Sequence, residues 1–285
     1  EPITVIEGQG RYKGYGDPVI AQAEDGTVIC GFSGGAGLWW STEETPMCNY
    51  IIKSTDGGQT WGEPLNITDI VRGKTVKDTL RKKLTSAFFG SGNGVVLKQE
   101  AYKGRILFVL ALASSSYRLY NYACYSDDGG DSWTVSELAY DGGDEAKIIE
   151  LKDGRLLMSV RQSGLRGYSY SEDGGQTWKD NGRWADMNTN ACDGDIIRYD
   201  DGLILHSLTN SLKRENVSIF CSFDEAQTWP YVKTICPYQS VYSSITKLPD
   251  GTIGAFIEEN PEGACELWYM NFSKEWLMAG QACGR

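Results

Sequence analysis

The chain has 285 residues, 41% of them hydrophobic, with 34 glycines and a formal net charge of −11. That is enough apolar side chain for a large core, and the acidic balance argues against nucleic acid and anionic membrane surfaces as partners. No apolar run reaches the roughly 18 residues of a membrane span.

In chain order, Ile3-Thr-Val-Ile6 reads as a short strand. Pro18-Val-Ile-Ala-Gln22 and Glu24-Asp-Gly-Thr-Val-Ile-Cys-Gly-Phe32 read as a hairpin on an Asp-Gly turn. The octet Ser54-Thr-Asp-Gly-Gly-Gln-Thr-Trp61 follows. Its Asp and hydroxyl side chains can bind nearby backbone amides and its glycines supply positive φ, so it predicts a tight turn. Thr68-Asp-Ile-Val-Arg-Gly73 with Thr79-Leu-Arg-Lys-Lys-Leu84 is the one helical candidate, a surface excursion.

The same grammar then repeats. Gly94–Lys98 and Lys103–Leu110 form a strand pair, closed by Ser126-Asp-Asp-Gly-Gly-Asp-Ser-Trp133. Ala146–Leu151 and Lys152–Val160 precede Ser171-Glu-Asp-Gly-Gly-Gln-Thr-Trp178, and Asp195–Tyr199 and Asp200–His206 precede Ser222-Phe-Asp-Glu-Ala-Gln-Thr-Trp229. Ser243–Leu248 and Pro249–Phe256 begin a fifth unit, and 264–285 with Ile3–Ile6 would supply a sixth. The octets begin 72, 45 and 51 residues apart (126−54, 171−126, 222−171), a period typical of radial repeats. The expected fold is all-β: a single domain, residues 1–285, forming a six-bladed β-propeller of four-stranded antiparallel blades.

Eight cysteines without a C-x-x-C pair, and His206 as the only histidine, leave no zinc pattern. Cys30, Cys124 and Cys221 fall in strand-like runs and read as small buried residues, and His206 as a satisfied core residue. No cofactor or metal is expected. Beginning at Glu1 with no leader, the chain reads as a mature or trimmed form; with three N-x-S/T sequons this favours an extracellular or secreted product, and a monomer is expected.

Propellers gather inter-blade loops at one end of the axis, and several polar residues stand at blade starts or strand ends: Glu145, Arg161, Arg214, Tyr242 and Glu258. Two converging arginines suit a carboxylate. A Tyr with a Glu suggests a phenol activated by a base, which suits an anionic sugar that a carboxylate nucleophile would repel.

The octets resemble the Asp boxes of the sialidase (neuraminidase) superfamily. The similarity runs from about Ser86 to Leu277, through Ala87-Phe-Phe-Gly-Ser-Gly-Asn-Gly-Val-Val-Leu97, Asp144–Arg161, Arg214–Asp224 and Val241–Gly254. The Glu145-to-Arg161, Arg214-to-Tyr242 and Tyr242-to-Glu258 spacings of 16, 28 and 16 residues fit that family. The resemblance implies Tyr242 as nucleophile, Glu145 as its base, Arg161 and Arg214 as two members of an arginine triad on the sialic acid carboxylate, and Glu258 as the residue orienting the third.

The first blade departs from the family's pattern. Where the family opens with Tyr-Arg-Ile-Pro, this chain has Tyr15-Gly-Asp-Pro18, which puts Asp17 beside the missing arginine. Where the family's acid/base Asp is expected, it has Trp39-Trp-Ser-Thr-Glu-Glu-Thr-Pro-Met-Cys48, with Glu43 or Glu44 in its place and Glu43 preferred. Arg11 or Lys13 is the candidate replacement cation. Asp193 falls where the family meets the distal sugar substituents, with a turn role the other reading, and Trp40 is a candidate sugar platform. The expected function is a retaining exo-glycosidase releasing terminal sialic acid from glycoconjugates. The rivals are a glycosidase or lyase for another 2-keto-3-deoxy or uronate-like sugar, and a propeller that binds acidic glycans without cleaving them.

Overall fold

The computed structural model describes residues 2–8, 10, 13–73, 80–260, 263 and 265–279, with Lys82 described by its backbone alone. The fold is all-β, a β-propeller arrangement of four sheets. In the first sheet Gly14–Gln22, Val28–Gly35, Met47–Ser54 and Leu65–Asn66 pair antiparallel in sequence order. The second is built on Ile106–Ser114 and Leu119–Ser126. Its inner position is shared by Leu84–Phe89 and Val95–Val96, which pair with the same strand at different heights. Ala146–Glu150, Leu156–Val160, Gly164–Ser171 and Lys179–Thr189 make the third. The fourth sheet is a six-stranded run in which Tyr231–Lys247, 17 residues long, closes one group and opens the next.

Burial of alternating apolar side chains between successive sheets holds the stack together. Val19, Ile29 and Ile51 meet Phe89, Phe108 and Leu110; Leu107 and Val109 meet Ile148 and Met158. Ile149, Leu157 and Trp184 meet Ile204 and Phe220, and Leu205 and Ile219 meet Ile245 and Ile257. Residues on both faces of one strand serve two interfaces, which is why these strands read as nearly continuous apolar runs.

The octets form the expected turns. Ser54 Oγ donates to Asp56 Oδ1 at 2.7 Å and accepts the Gly58 N–H at 2.8 Å. Asp56 accepts the Thr60 N–H at 2.9 Å and its hydroxyl at 2.6 Å, and Trp61 Nε1 donates to the Gly58 carbonyl at 3.1 Å. These hydrogen bonds to the ionised form hold the Asp56 carboxyl at about 2. The fourth octet reaches the same turn without glycine: Glu225 and Ala226 sit at φ 59° and 63°. The Glu225 carboxylate binds Arg198 and the Lys152 N–H, which offsets the strain.

Two expectations are corrected. Ile3–Ile6 forms no strand; Ile6 packs instead on Cys30, Phe32 and Ile52 of the first sheet. Glu266–Phe272 is the third strand of the last group rather than the start of a sixth. The helical excursion is reduced to Thr68–Val71 and a 3-10 turn at Arg81–Lys83, because Leu84 already begins a strand whose Leu84, Ala87 and Phe89 enter the core; 74–79 lie outside the described residues. Cys30, Cys48, Cys124, Cys192, Cys221, Cys236 and Cys265 are free thiols, and Cys283 lies outside the described residues. Among the described residues no helix is long and apolar enough to cross a membrane.

Candidate active site

Gly92–Asn93 runs parallel to Val19–Ile20, and the later parts of the inner strands, at Gln22, Val96, Glu150, Arg198 and Thr246, line one axial cavity of about 680 Å³. Beyond the opposite ends of these strands, Lys147 joins Gly90 to Asp193 and Arg161 joins Tyr242 to Glu145, while Asp17 stands near the start of the first strand. Tyr242 and Asp17 each stand where the strand register slips, between Ser240 and Ser243 and between Gly16 and Val19. Such bulges turn side chains out of the alternation of the strand.

The structure joins three of the expected residues directly. Arg161 Nη1 donates to the Tyr242 phenol oxygen at 2.9 Å and makes an ion pair with Glu145. The Arg161 guanidinium lies 5.6 Å from the centre of the Tyr242 ring. Glu145 is 5% exposed. Burial holds the Tyr242 phenol above its ordinary value, against the pull of Arg161 and Arg214. The phenol is therefore neutral at rest and needs a base to become a nucleophile. Arg214 is exposed and, among the described residues, its side chain makes no hydrogen bond or ion pair.

The other candidates have different surroundings. Asp193 is 6% exposed, and Lys147 Nζ, itself 3% exposed, binds its two oxygens at 2.7 and 2.9 Å while also donating to the Gly90 carbonyl at 3.0 Å. Glu258 lies half-buried opposite Leu267, with no hydrogen-bonded partner for its carboxylate among the described residues. Asp17 is half-buried at φ 52°, and burial raises its carboxyl. Glu43 and Glu44 are exposed on the connection between the second and third strands. Glu43 lines a hollow of about 400 Å³ with Ser41, Arg72 and Lys83. Its own backbone N–H and the Thr42 hydroxyl hold the Glu44 carboxyl low. Trp40 is 71% exposed; the neighbouring Trp39 ring lies 5.3 Å from Tyr117. Lys13 is exposed, and Arg11 lies outside the described residues.

Three residues were not singled out from the sequence. Asp144 Oδ1 lies 3.3 Å from Arg161 Nε. Lys147 is the buried partner of Asp193. Arg166, fully buried, donates from Nε to Ser159 Oγ at 2.9 Å and from Nη1 to the Cys192 carbonyl at 3.1 Å. Burial, partly opposed by Asp193, lowers it to about 10. Ser159 in turn meets His206 Nε2 at 2.7 Å, so the buried histidine is satisfied as expected. Lys147 and Arg166 lie in strands with buried residues on both faces, so alternation does not single them out, and Asp144 stands just ahead of such a strand.

The description "BNR repeat-like domain" fits residues 1–255. The chain belongs to this family, within the sialidase superfamily. A sialidase of Micromonospora viridifaciens is 29% identical over 93% of this chain and 42% of its own length. One from Bacteroides fragilis is 26% identical over 87% and 48%. The chain thus spans less than half the length of these two relatives. Among solved structures, the Hadza microbial sialidase Hz136 has TM-score 0.77 and 24% identity, over 93% of this chain and 53% of that one. The intramolecular trans-sialidase of Ruminococcus gnavus, in complex with oseltamivir carboxylate, has TM-score 0.78 and 19% identity, over 94% and 79%. At these identities the solved structures speak for the fold.

Proposed function

We propose that the chain, read as one domain over 1–285, carries the pocket of a retaining exo-glycosidase that releases terminal sialic acid from glycoconjugates. The observation that carries this reading is the contact of Arg161 with both the Tyr242 phenol and Glu145, beside the unengaged cation of Arg214. Arg161 and Arg214 hold the sugar carboxylate. Tyr242 Oη attacks the anomeric carbon while Glu145 takes its proton, and Arg161 Nη1 stabilises the developing phenolate. Glu43 protonates the departing glycosidic oxygen, then takes a proton from the water that cleaves the tyrosyl–sugar bond, restoring Tyr242. Glu43 is preferred to Glu44, whose lowered carboxyl makes a poorer acid.

Asp17, Asp193, Glu258 and Trp40 complete the proposed pocket. Asp17 faces the sugar ring, Asp193 sets the floor beneath its side chain, Glu258 orients a cation, and Trp40 offers its face to the leaving glycan. The names of the relatives support sialylated glycans as substrate, and the three N-x-S/T sequons are what favours an extracellular or secreted place of action. In the proposed six-bladed ring, one more sheet, not built from Ile3–Ile6 or Glu266–Phe272, would bury the exposed Phe256, Leu267 and Tyr269 on one face of the last sheet.

The exposed setting of Glu43, in a hollow whose lining includes none of Tyr242, Glu145, Arg161 and Arg214, favours a second reading, in which the pocket binds acidic glycans without cleaving them. Product release from a panel of sialosides, 2-keto-3-deoxy-octulosonides and glucuronides separates these. Cleavage of sialosides alone supports the first reading. Cleavage of another member alone moves the substrate class, and saturable binding without product supports the second.

A further inference from the structure

Arg161 has two edges that can grip a carboxylate in a fork, Nη1/Nη2 and Nε/Nη2. The first is committed, since Nη1 serves both Tyr242 and Glu145. The second is covered by Asp144, whose Oδ1 stands 3.3 Å from Nε. This contact is not a well-formed hydrogen bond: Nε is out of solvent and has no hydrogen-bond partner. Asp144 is itself tethered, because its Oδ1 accepts the Glu145 N–H at 2.7 Å and its backbone carbonyl accepts from Asn121.

We propose that Asp144 is a built-in competitor for the substrate carboxylate: it occupies the Nε edge of Arg161, and an acidic sugar binds in full only when Asp144 takes up a proton and yields that edge. The inference rests on the acidic-sugar reading of the pocket. Burial raises the Asp144 carboxyl, and Asp193 pushes the same way against the pull of Arg161 and Arg166. Among the described residues the charged and titratable groups that act on it are Glu145, Arg161 and Arg166 of the third sheet, Asp193 ahead of the fourth, and Tyr242 of the last; from the second sheet the Asn121 amide meets its backbone carbonyl. An incoming carboxylate adds a third anion to a guanidinium that already faces Glu145 and Asp144 and raises Asp144 further, so binding draws in a proton. Affinity therefore falls as pH rises above the Asp144 pKa.

The test is calorimetric titration of the full chain and of Asp144→Asn with the 2,3-unsaturated glycal of sialic acid, across pH and in buffers of different ionisation enthalpy. Asparagine keeps the acceptor for the Glu145 N–H, so the fold is preserved, and thermal unfolding checks this. Wild type is expected to take up a proton on binding and to weaken with rising pH. Asp144→Asn is expected to bind about tenfold tighter at the upper end, to lose that proton uptake, and to have a flattened pH profile. The methyl ester of the glycal, which carries no charge, should bind the two proteins alike. Equal affinity and equal pH dependence for the acid would overturn the role of Asp144 while leaving the pocket reading intact, and so would weaker binding by Asp144→Asn. Binding of the glycal by neither protein would overturn the acidic-sugar reading and this inference with it.

Discussion

Replacing Asp193 by Asn removes the negative half of an ion pair that has almost no access to water. Lys147 and Asp193 are 3% and 6% exposed, and among the described residues the ammonium has one further hydrogen-bond partner, the Gly90 carbonyl at 3.0 Å, with the buried Asp195 carboxylate close enough to feel its charge. A charge left without its hydrogen-bonded counter-ion in such a place costs about 3–5 kcal/mol. For a chain of this size that lowers the melting temperature by roughly 10 °C. Denaturant unfolding followed by tryptophan fluorescence reads the cost, and a cycle with Lys147→Met isolates the pair. The double variant should recover most of the loss, because the stranded ammonium is gone. A single variant within about 1 kcal/mol of wild type would refute this reasoning and return Asp193 to direct contact with substrate, where a raised KM at unchanged stability would be its mark.

Trp133 is 5% exposed and stacked on Phe108 at 5.2 Å and 16°, so Trp133→Ala should cost about 3–5 kcal/mol in the same unfolding assay. Trp61→Ala, in the more exposed first octet, should cost distinctly less. His206 is fully buried, and burial and the nearby Arg166 hold it well below its ordinary value. The unfolded chain therefore takes up a proton near pH 6.5 that the folded chain refuses. Stability is full above that pH and should fall by up to about 1.4 kcal/mol per unit between pH 6.5 and 5. His206→Gln should flatten this slope in denaturation curves taken across the window; the raised carboxyls of Asp17, Asp144 and Asp195 act in both proteins, so the difference between the two curves belongs to His206.

The sheet order was legible because its signals are local. The Asp-Gly turns and the octets set where the chain reverses, and runs such as Ile106–Leu112 mark strands buried on both faces. Ile3–Ile6 misled because three apolar residues in four read like a strand, whereas of the three Ile6 packs on Phe32 and Cys30 while Ile3 and Val5 stay exposed. Leu84–Phe89 was hidden behind the basic Arg81-Lys-Lys turn and an inner strand split in two by Gly90–Gly94. At the site, the meeting of Tyr242, Glu145 and Arg161 was foreshadowed by their places beside apolar strand runs and by the spacing that carries the family resemblance. Asp144, Lys147 and Arg166 could not, because their importance lies in burial against one another, and that is set by which sheet faces which.

The most direct test of the central claim is release of fluorophore from an aryl α-sialoside by the wild-type chain beside Tyr242→Phe, over several pH values. Phe keeps the ring beneath Arg161 and removes only the oxygen that would attack. The account predicts turnover in wild type and its near-complete loss in Tyr242→Phe with the fold intact; comparable turnover in the two proteins would contradict it.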